Sequence, residues 1–362
     1  MLNPAGALEA SCDLDSEHPK TSAGTVACEA GGSLDALELV KELKAYRQTS
    51  RRRSRAELAI TLIPYVTLTA FSLASVQAGY WLGLLLTLPA GGLLLRLFLI
   101  QHDCGHGSFW PTRSANDWLG RCLGVLTLTP YACWRRSHAL HHAGTGNLHA
   151  RGFGDVDTLT VSEFRNSPRS RQLFYRLYRH PLVLLGLGPA YLFLLRHRLP
   201  IGLMKAGRRY WASALGTNAA IVALAISICS LVSVNTFLMV QLPITLIAAS
   251  AGVWLFSLQH QFEDTHWATR ADWSVREAAL RGSSHLDFPV VLRWLTANIG
   301  AHHVHHLASS VPYYRIPAVL RAHPELAATN RLSVSKCLTA FRLALWDAEK
   351  GRLISFAALK EA

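Results

Sequence analysis

Four stretches of this chain stay apolar for about the thickness of a bilayer, and that feature limits every fold the rest can adopt. They are "AELAITLIPYVTLTAFSLAS" (56–75), "YWLGLLLTLPAGGLLLRLFLI" (80–100), "SALGTNAAIVALAISICSLV" (213–232) and "FLMVQLPITLIAASAGVWLFSL" (237–258). About 20 apolar residues in helical form cross the roughly 30 Å of hydrocarbon. Each backbone amide there must be bonded within its own segment, which selects the helix. Pro64, Pro89 and Pro243 fall inside these runs, where neighbouring helices can satisfy the freed carbonyls. Arg96, near the end of the second run, is expected to snorkel to the interface. Two further runs, 119–134 and 181–195, are too short to span and read as re-entrant or interfacial helices.

Charge placement orients the spans. The net charge of +13 would suit a nucleic-acid binder, but the arginines flank the apolar runs and do not gather on one basic domain. "RRRSR" (51–55) precedes the first span, and the long connection 101–212 carries Arg135, Arg136, Arg165, Arg169, Arg171, Arg208 and Arg209. The turns "VQAG" and "SVNT" carry no charge. The positive-inside rule then puts both termini and everything after 258 on the cytoplasmic side. No secretory signal peptide is expected, and residues 1–50 read as a flexible cytosolic tail with an amphipathic helix over 34–47, Asp35 and Glu38 early and Lys44 and Arg47 late. The seven cysteines show no CxxC pair and read as free thiols.

Histidine is the second constraint. "HDCGH" holds His102 and His106, "HALHH" holds His138, His141 and His142, and "HHVHH" holds His302, His305 and His306 with His303 between them. Offsets of i, i+3 and i+4 place side chains on one helix face, about 5–6 Å apart at Cβ, so that imidazoles converge on a metal. One HxxxH pair arises easily by chance; three such boxes on one predicted side of a membrane do not. Imidazole suits iron, copper, zinc and nickel, and eight clustered histidines exceed what one ion uses, implying two. The Glu-x-x-His repeats of soluble carboxylate-bridged bundles have no counterpart pair here. The expected architecture is an all-α integral membrane protein with four transmembrane helices as two hairpins, interfacial helices, and a cytoplasmic helical cap holding a di-metal site.

"HDCGHGSFW", "WRRSHALHHAGTGNL" with "GDVDTLTVSEF", "LQHQFEDTHW" and "NIGAHHVHHLASSVPYYRIP" together resemble the membrane-bound fatty acid desaturases with three histidine boxes, over about 56–320 and in the same order. The spacing of HDCGH resembles the omega-6 (delta-12-type) acyl-lipid enzymes; the acyl-CoA delta-9 type usually has one more residue in that box. The third box starts with histidine, where front-end desaturases commonly have glutamine. The resemblance implies a non-haem di-iron centre that uses O2 and two electrons to remove two vicinal hydrogens from an acyl chain. An unactivated methylene offers no acidic proton, so a redox metal must carry this chemistry, which zinc cannot do. It further implies His102, His106, His138, His141, His142, His302, His305 and His306 as ligands, with a ninth, His260, from the end of the last span. His285 competes for that place, and His303 is expected in a supporting or surface position.

A ligating histidine usually donates its second ring N–H to a carboxylate or carbonyl. Asp103, Asp155, Asp157, Glu263 and Asp264 are candidates, with Asp103 and Asp264 favoured by adjacency to ligands. His18, His149, His180, His197, His266 and His323 read as loop or surface residues. Trp110, Trp134 and Trp267 would suit the membrane interface. The domain reading is a tail (1–50), a desaturase domain (51–330) and a cytosolic helical tail (331–362), with an amphipathic helix over 334–353. An apolar tunnel for the acyl chain is expected between the cytoplasmic ends of the spans and the runs 119–134 and 181–195. Electrons are expected from a separate carrier, a ferredoxin or cytochrome b5, since no HPGG haem motif, CxxC-rich segment or GxGxxG occurs; an acidic carrier would be steered to the basic face. Carotenoid ketolases and hydroxylases and alkane hydroxylases share boxes and spans but differ in the words around them. A metal transporter would place ligands within the spans, whereas these boxes lie outside them.

Overall fold

In a computed structural model that describes residues 26–27, 33–34, 36–152 and 154–360, the chain is mostly helical. Helix α1 (Ala36–Leu43) runs into a 3-10 turn at Lys44–Arg47 and buries Leu39 and Leu43 in the main core. The presumed free tail is therefore packed down from α1 onward. Cys12, His18, Cys28 and Asp35 lie outside the described residues.

Four helices among the described residues are long and apolar enough to cross a membrane: Arg51–Gln77, Trp81–His106, Arg208–Cys229 and Val234–His260. The first, α2 (Arg51–Gln77), starts where the Ser50 hydroxyl accepts the Arg53 amide. The second enters as a 3-10 turn, continues as α3 (Thr87–His106), and ends at Gly107, whose φ of 73° lets its amide close on the last turn. Its last turn thus carries the first histidine box beyond the apolar run.

The run 119–134 is not one helix. It divides into α4 (Arg113–Leu126) and α5 (Tyr131–Gly144), because Pro130 disfavours helix at the residue before it and Leu128 turns left-handed at φ 54°. After α6 (Val161–Arg165) and α7 (Arg169–Tyr178), the run 181–195 is helical but underwound. Two π turns, Val183–Leu187 and Tyr191–Leu195, flank α8 (Gly188–Ala190), where Pro189 supplies no amide hydrogen.

The last two spans are α9 (Arg208–Cys229) and α10 (Val234–His260). α10 lies along α3 and α2, and α9 leans on α4 and α5. Gly91 permits the α3–α10 contact, since a Cβ there would sit 2.6 Å from Ile247 Cγ2.

Arg96 does not snorkel. It is 1% exposed and forms an ion pair with Glu57; Nε donates to Thr61 Oγ1 at 3.0 Å and one terminal nitrogen to the Trp294 carbonyl. The antiparallel α2–α3 packing sets the second turn of α2 opposite this arginine, and a carboxylate at hand removes the need to reach water.

Beyond the spans, α11 (Val275–Arg281), α12 (Val290–Leu295) and α13 (His302–Leu307) form the cap. The stretch 334–353 is not a single helix. Only Val334–Ala340 is helical, and Leu343–Asp347 pairs with Arg352–Ser355 as a hairpin that adds Leu159–Thr160 in parallel. The turn explains the difference: Asp347 Oδ1 accepts the amides of Glu349 and Lys350, both at 3.1 Å, and Gly351 sits at φ 62°. Buried Arg179 joins this hairpin to the spans, donating to Leu343 O at 2.6 Å and to Gln261 Oε1 at 2.9 Å. The free thiols among the described residues are Cys104, Cys122, Cys133, Cys229 and Cys337.

Candidate metal centre

Nine histidines meet where α3, α5, α10 and α13 end or cross. One ring nitrogen from each of His102, His106, His138, His142 and His305 forms a first group, and one from each of His141, His260, His302 and His306 a second; within each group the atoms lie within 4.8 Å of one another. The boxes are split between the groups. On α5 the i, i+4 pair His138 and His142 serves the first and His141 the second. On α13 the i, i+4 pair His302 and His306 serves the second and His305 the first. A single face per box, the expectation from spacing, gives way to two because α5 and α13 each pass between the groups.

The seam between α10 and α13 is backbone-built. Ser284 donates its amide to Gln259 O at 2.9 Å and accepts the His302 amide at 3.1 Å, which sets His260 Nε2 3.0 Å from His302 Nε2. In the first group, His138 Nε2 lies 2.9 Å from His106 Nε2, His142 Nε2 lies 3.1 Å from that of His138, and His305 Nε2 lies 3.1 Å from that of His142.

These residues fit a metal on three grounds. Nitrogens bound about 2.0–2.1 Å from one ion, at right angles, are themselves about 3 Å apart, which is the separation seen. His141 Nε2 and His306 Nε2 are buried without a hydrogen-bond partner, a state that costs about 1–3 kcal/mol per group unless something else binds there. Finally, burial, followed by repulsion among neighbouring imidazoles, holds His138, His142, His302, His305 and His306 well below the ordinary histidine pKa. The rings are neutral and keep a lone pair for a cation.

Outer contacts turn the lone pairs inward. Asp155 accepts from His141 Nδ1, and the Gly282 carbonyl accepts from His260 Nδ1 at 2.9 Å, so Nε2 of each carries the free lone pair. Asp103 Oδ1 lies 3.4 Å from His102 Nδ1, while its Oδ2 accepts the Tyr313 amide at 2.8 Å. Trp134 stacks on His138 with ring centres 4.7 Å apart. Gly105 makes room for it, because a Cβ there would lie 2.7 Å from the indole. We expect Asp155→Asn to weaken metal retention at the second group by about 10–100-fold, measured as loss of bound metal to a chelator.

Other expectations need revision. Asp264 is exposed in the turn after α10 and touches none of the nine histidines; Asp155, brought in by the loop after α5, is the carboxylate that reaches a ring on that side. Glu263 pairs with Arg352, and Asp157 contributes backbone contacts to Tyr178 and Tyr175. His285 donates from Nδ1 to Ala327 O at 2.7 Å and stays out of both groups. His303 is not on the surface. It is 0% exposed, donates from Nε2 to Leu326 O at 2.8 Å, and is pushed by burial down to about 3, because the back of α13 packs onto the chain at 326. His149 and His180 are exposed and His266 and His323 half-buried. His197 instead lines a cavity, against Phe193.

That cavity holds about 750 Å3. Its walls come from α3 (Leu94, Phe98), α10 (Ala248, Phe256), the start of α5 and the underwound run 181–195, and it reaches His102, His138 and His302. It therefore touches both histidine groups. Leu187 and Tyr191, also in its wall, are exposed, so the cavity opens at the surface.

Similarity to known proteins covers most of the chain. The family model described as fatty acid desaturase matches residues 40–337. A protein of Bacillus subtilis named fatty acid desaturase is 41% identical over 323 residues, covering 89% of this chain and 91% of that one. Two proteins of Synechocystis sp. are more distant. An sn-1 oleoyl-lipid 12-desaturase is 26% identical over 62% of this chain and 64% of its own length. An sn-1 acyl-lipid omega-3 desaturase (ferredoxin) is 28% identical over 76% and 77%.

Proposed function

From the premise that this chain belongs to the fatty acid desaturase family, and so is an oxidoreductase and a multi-pass membrane protein, we propose that it places a double bond in a lipid-linked acyl chain, with omega-6 (delta-12-like) regiochemistry. The overall change is –CH2–CH2– + O2 + 2 e⁻ + 2 H⁺ → –CH=CH– + 2 H2O. The observation that carries this reading is a cavity with apolar walls, open at the surface, that ends on both histidine groups. His102, His106, His138, His142 and His305 would hold one iron, and His141, His260, His302 and His306 the other. Two non-haem irons supply, when bound, the O2 and one-electron chemistry that no side chain has at an unactivated methylene.

The protein's own part is positional. Leu94, Phe98, Ala248 and Phe256 keep water from the chain and hold it extended toward His102, His138 and His302. Asp155, Gly282 and Trp134 fix the rings that face it. Electrons come from an external carrier, a ferredoxin or cytochrome b5 type, in line with the ferredoxin named for one relative. The histidine side is cytoplasmic, following the arginine distribution.

The test is product chemistry. Expression in a host limited to saturated and monounsaturated acyl chains, with a ferredoxin system supplied, should yield a new doubly unsaturated methyl ester by gas chromatography–mass spectrometry. Iron-loaded, well-expressed protein that leaves the acyl profile unchanged with its donor present would sink the proposal.

A further inference from the structure

Helix α7 lies outside the four spans yet exposes a continuous apolar face. Leu173, Phe174 and Leu177 are 70%, 67% and 58% exposed, and their spacing puts them on one side. The helix is not loosely held. Tyr175 on the opposite side is buried, donates to Ala344 O at 2.5 Å and accepts the Leu159 amide at 3.0 Å, and the Arg176 guanidinium sits 4.4 Å over the Phe356 ring. The apolar side is thus fixed facing outward.

Charge and position identify what covers it. Arg169 and Arg171, in the first turn of α7, are exposed and have no carboxylate partner among the described residues. Phe174 also lines the cavity, beside the exposed Leu187 and Tyr191, so the apolar face borders the opening through which an acyl chain enters. A rigid amphipathic helix with leucine and phenylalanine on one side and free arginines beside them matches the surface of an anionic bilayer. An acidic soluble protein would match the arginines but leave the apolar face in water.

We propose that α7 lies in the membrane surface on the histidine side and gathers anionic phospholipids at the cavity mouth. Leu173, Phe174 and Leu177 reach the upper acyl carbons, and Arg169 and Arg171 hold the phosphates. The consequence rests on the desaturase reading: lipids with anionic head groups are delivered to the cavity ahead of zwitterionic ones. Each arginine near an anionic surface contributes about a fivefold enrichment.

The experiment uses the full, iron-loaded chain in nanodiscs with equal fractions of phosphatidylglycerol and phosphatidylcholine bearing the same acyl chains, supplied with ferredoxin, its reductase and NADPH. Products are separated by head group. The wild type should desaturate phosphatidylglycerol severalfold faster, and Arg169→Gln with Arg171→Gln should bring the ratio toward one. A wild-type ratio of one, or a ratio the double variant leaves unchanged, overturns the proposal; an equal fall on both lipids is such a case and assigns the arginines to carrier docking. If neither lipid is desaturated, the failure belongs to the desaturase reading. Mass spectrometry of lipid retained through detergent purification then decides on α7 alone. Phosphatidylglycerol enrichment lost in the double variant supports the proposal, and enrichment that is absent or unaffected overturns it.

Discussion

On the di-iron reading proposed above, His302→Ala and His305→Ala should each remove about one of two iron ions, and each should lower desaturated product by more than about 100-fold, since even the partners of metal ligands are worth 10–100-fold. The two residues are three apart on α13 but face different groups. His305 Nε2 lies 3.1 Å from that of His142, and His302 Nε2 lies 3.0 Å from that of His260. His303→Ala, between them, is the informative control. Its ring bonds Leu326 O and faces neither group, so this variant should keep both irons while losing about 1–3 kcal/mol of stability from an unpaired buried carbonyl. Metal content by plasma mass spectrometry and Mössbauer spectra of the remaining iron read out all three. Iron loss from His303→Ala as large as from its neighbours would sink this division of the box.

Glu57→Leu should be the most destabilising change in the membrane-spanning part, by about 3–5 kcal/mol, because it leaves the Arg96 cation buried without a counter-charge. Arg96→Leu should cost less, since Glu57 keeps Arg53 at 2.6 Å and the Tyr313 hydroxyl at 3.1 Å. The double variant should also be milder than Glu57→Leu, with no charge stranded. Thermal unfolding of detergent-solubilised protein ranks the three, and Arg96→Leu ranking worst would refute the argument. The site feels the same change at one remove. Tyr313 is held by Glu57 through its hydroxyl and holds Asp103 through its amide, so metal retention at the group that includes His102 should fall along with stability.

The histidines were legible because a metal ligand set needs particular residue types at fixed helical offsets, and His102, His106, His138, His141, His142, His302, His305 and His306 satisfy this without knowledge of any other segment. His260 was legible only through the family pattern, since a lone histidine at the end of an apolar helix carries no spacing signal. Asp155 was one of five comparable acids in the sequence; its reach to His141 depends on how the loop after α5 returns. Local turn chemistry defeated the helical reading of 334–353, where an aspartate-capped turn and Gly351 outweighed an apolar period that a short hairpin can also satisfy.

The sequence by itself determined the four spans, the side on which the boxes lie relative to them, and the residue type gathered at the candidate metal centre. These follow from hydrocarbon thickness, backbone hydrogen bonding and imidazole chemistry, all properties of single segments. Tertiary structure alone decided which histidine joins which group, that Arg96 pairs with Glu57 and does not reach for water, that His303 is buried, and that the apolar face of α7 borders the cavity. Each of these depends on where a second, distant segment comes to rest, and helical periodicity along one segment carries no information about its neighbour.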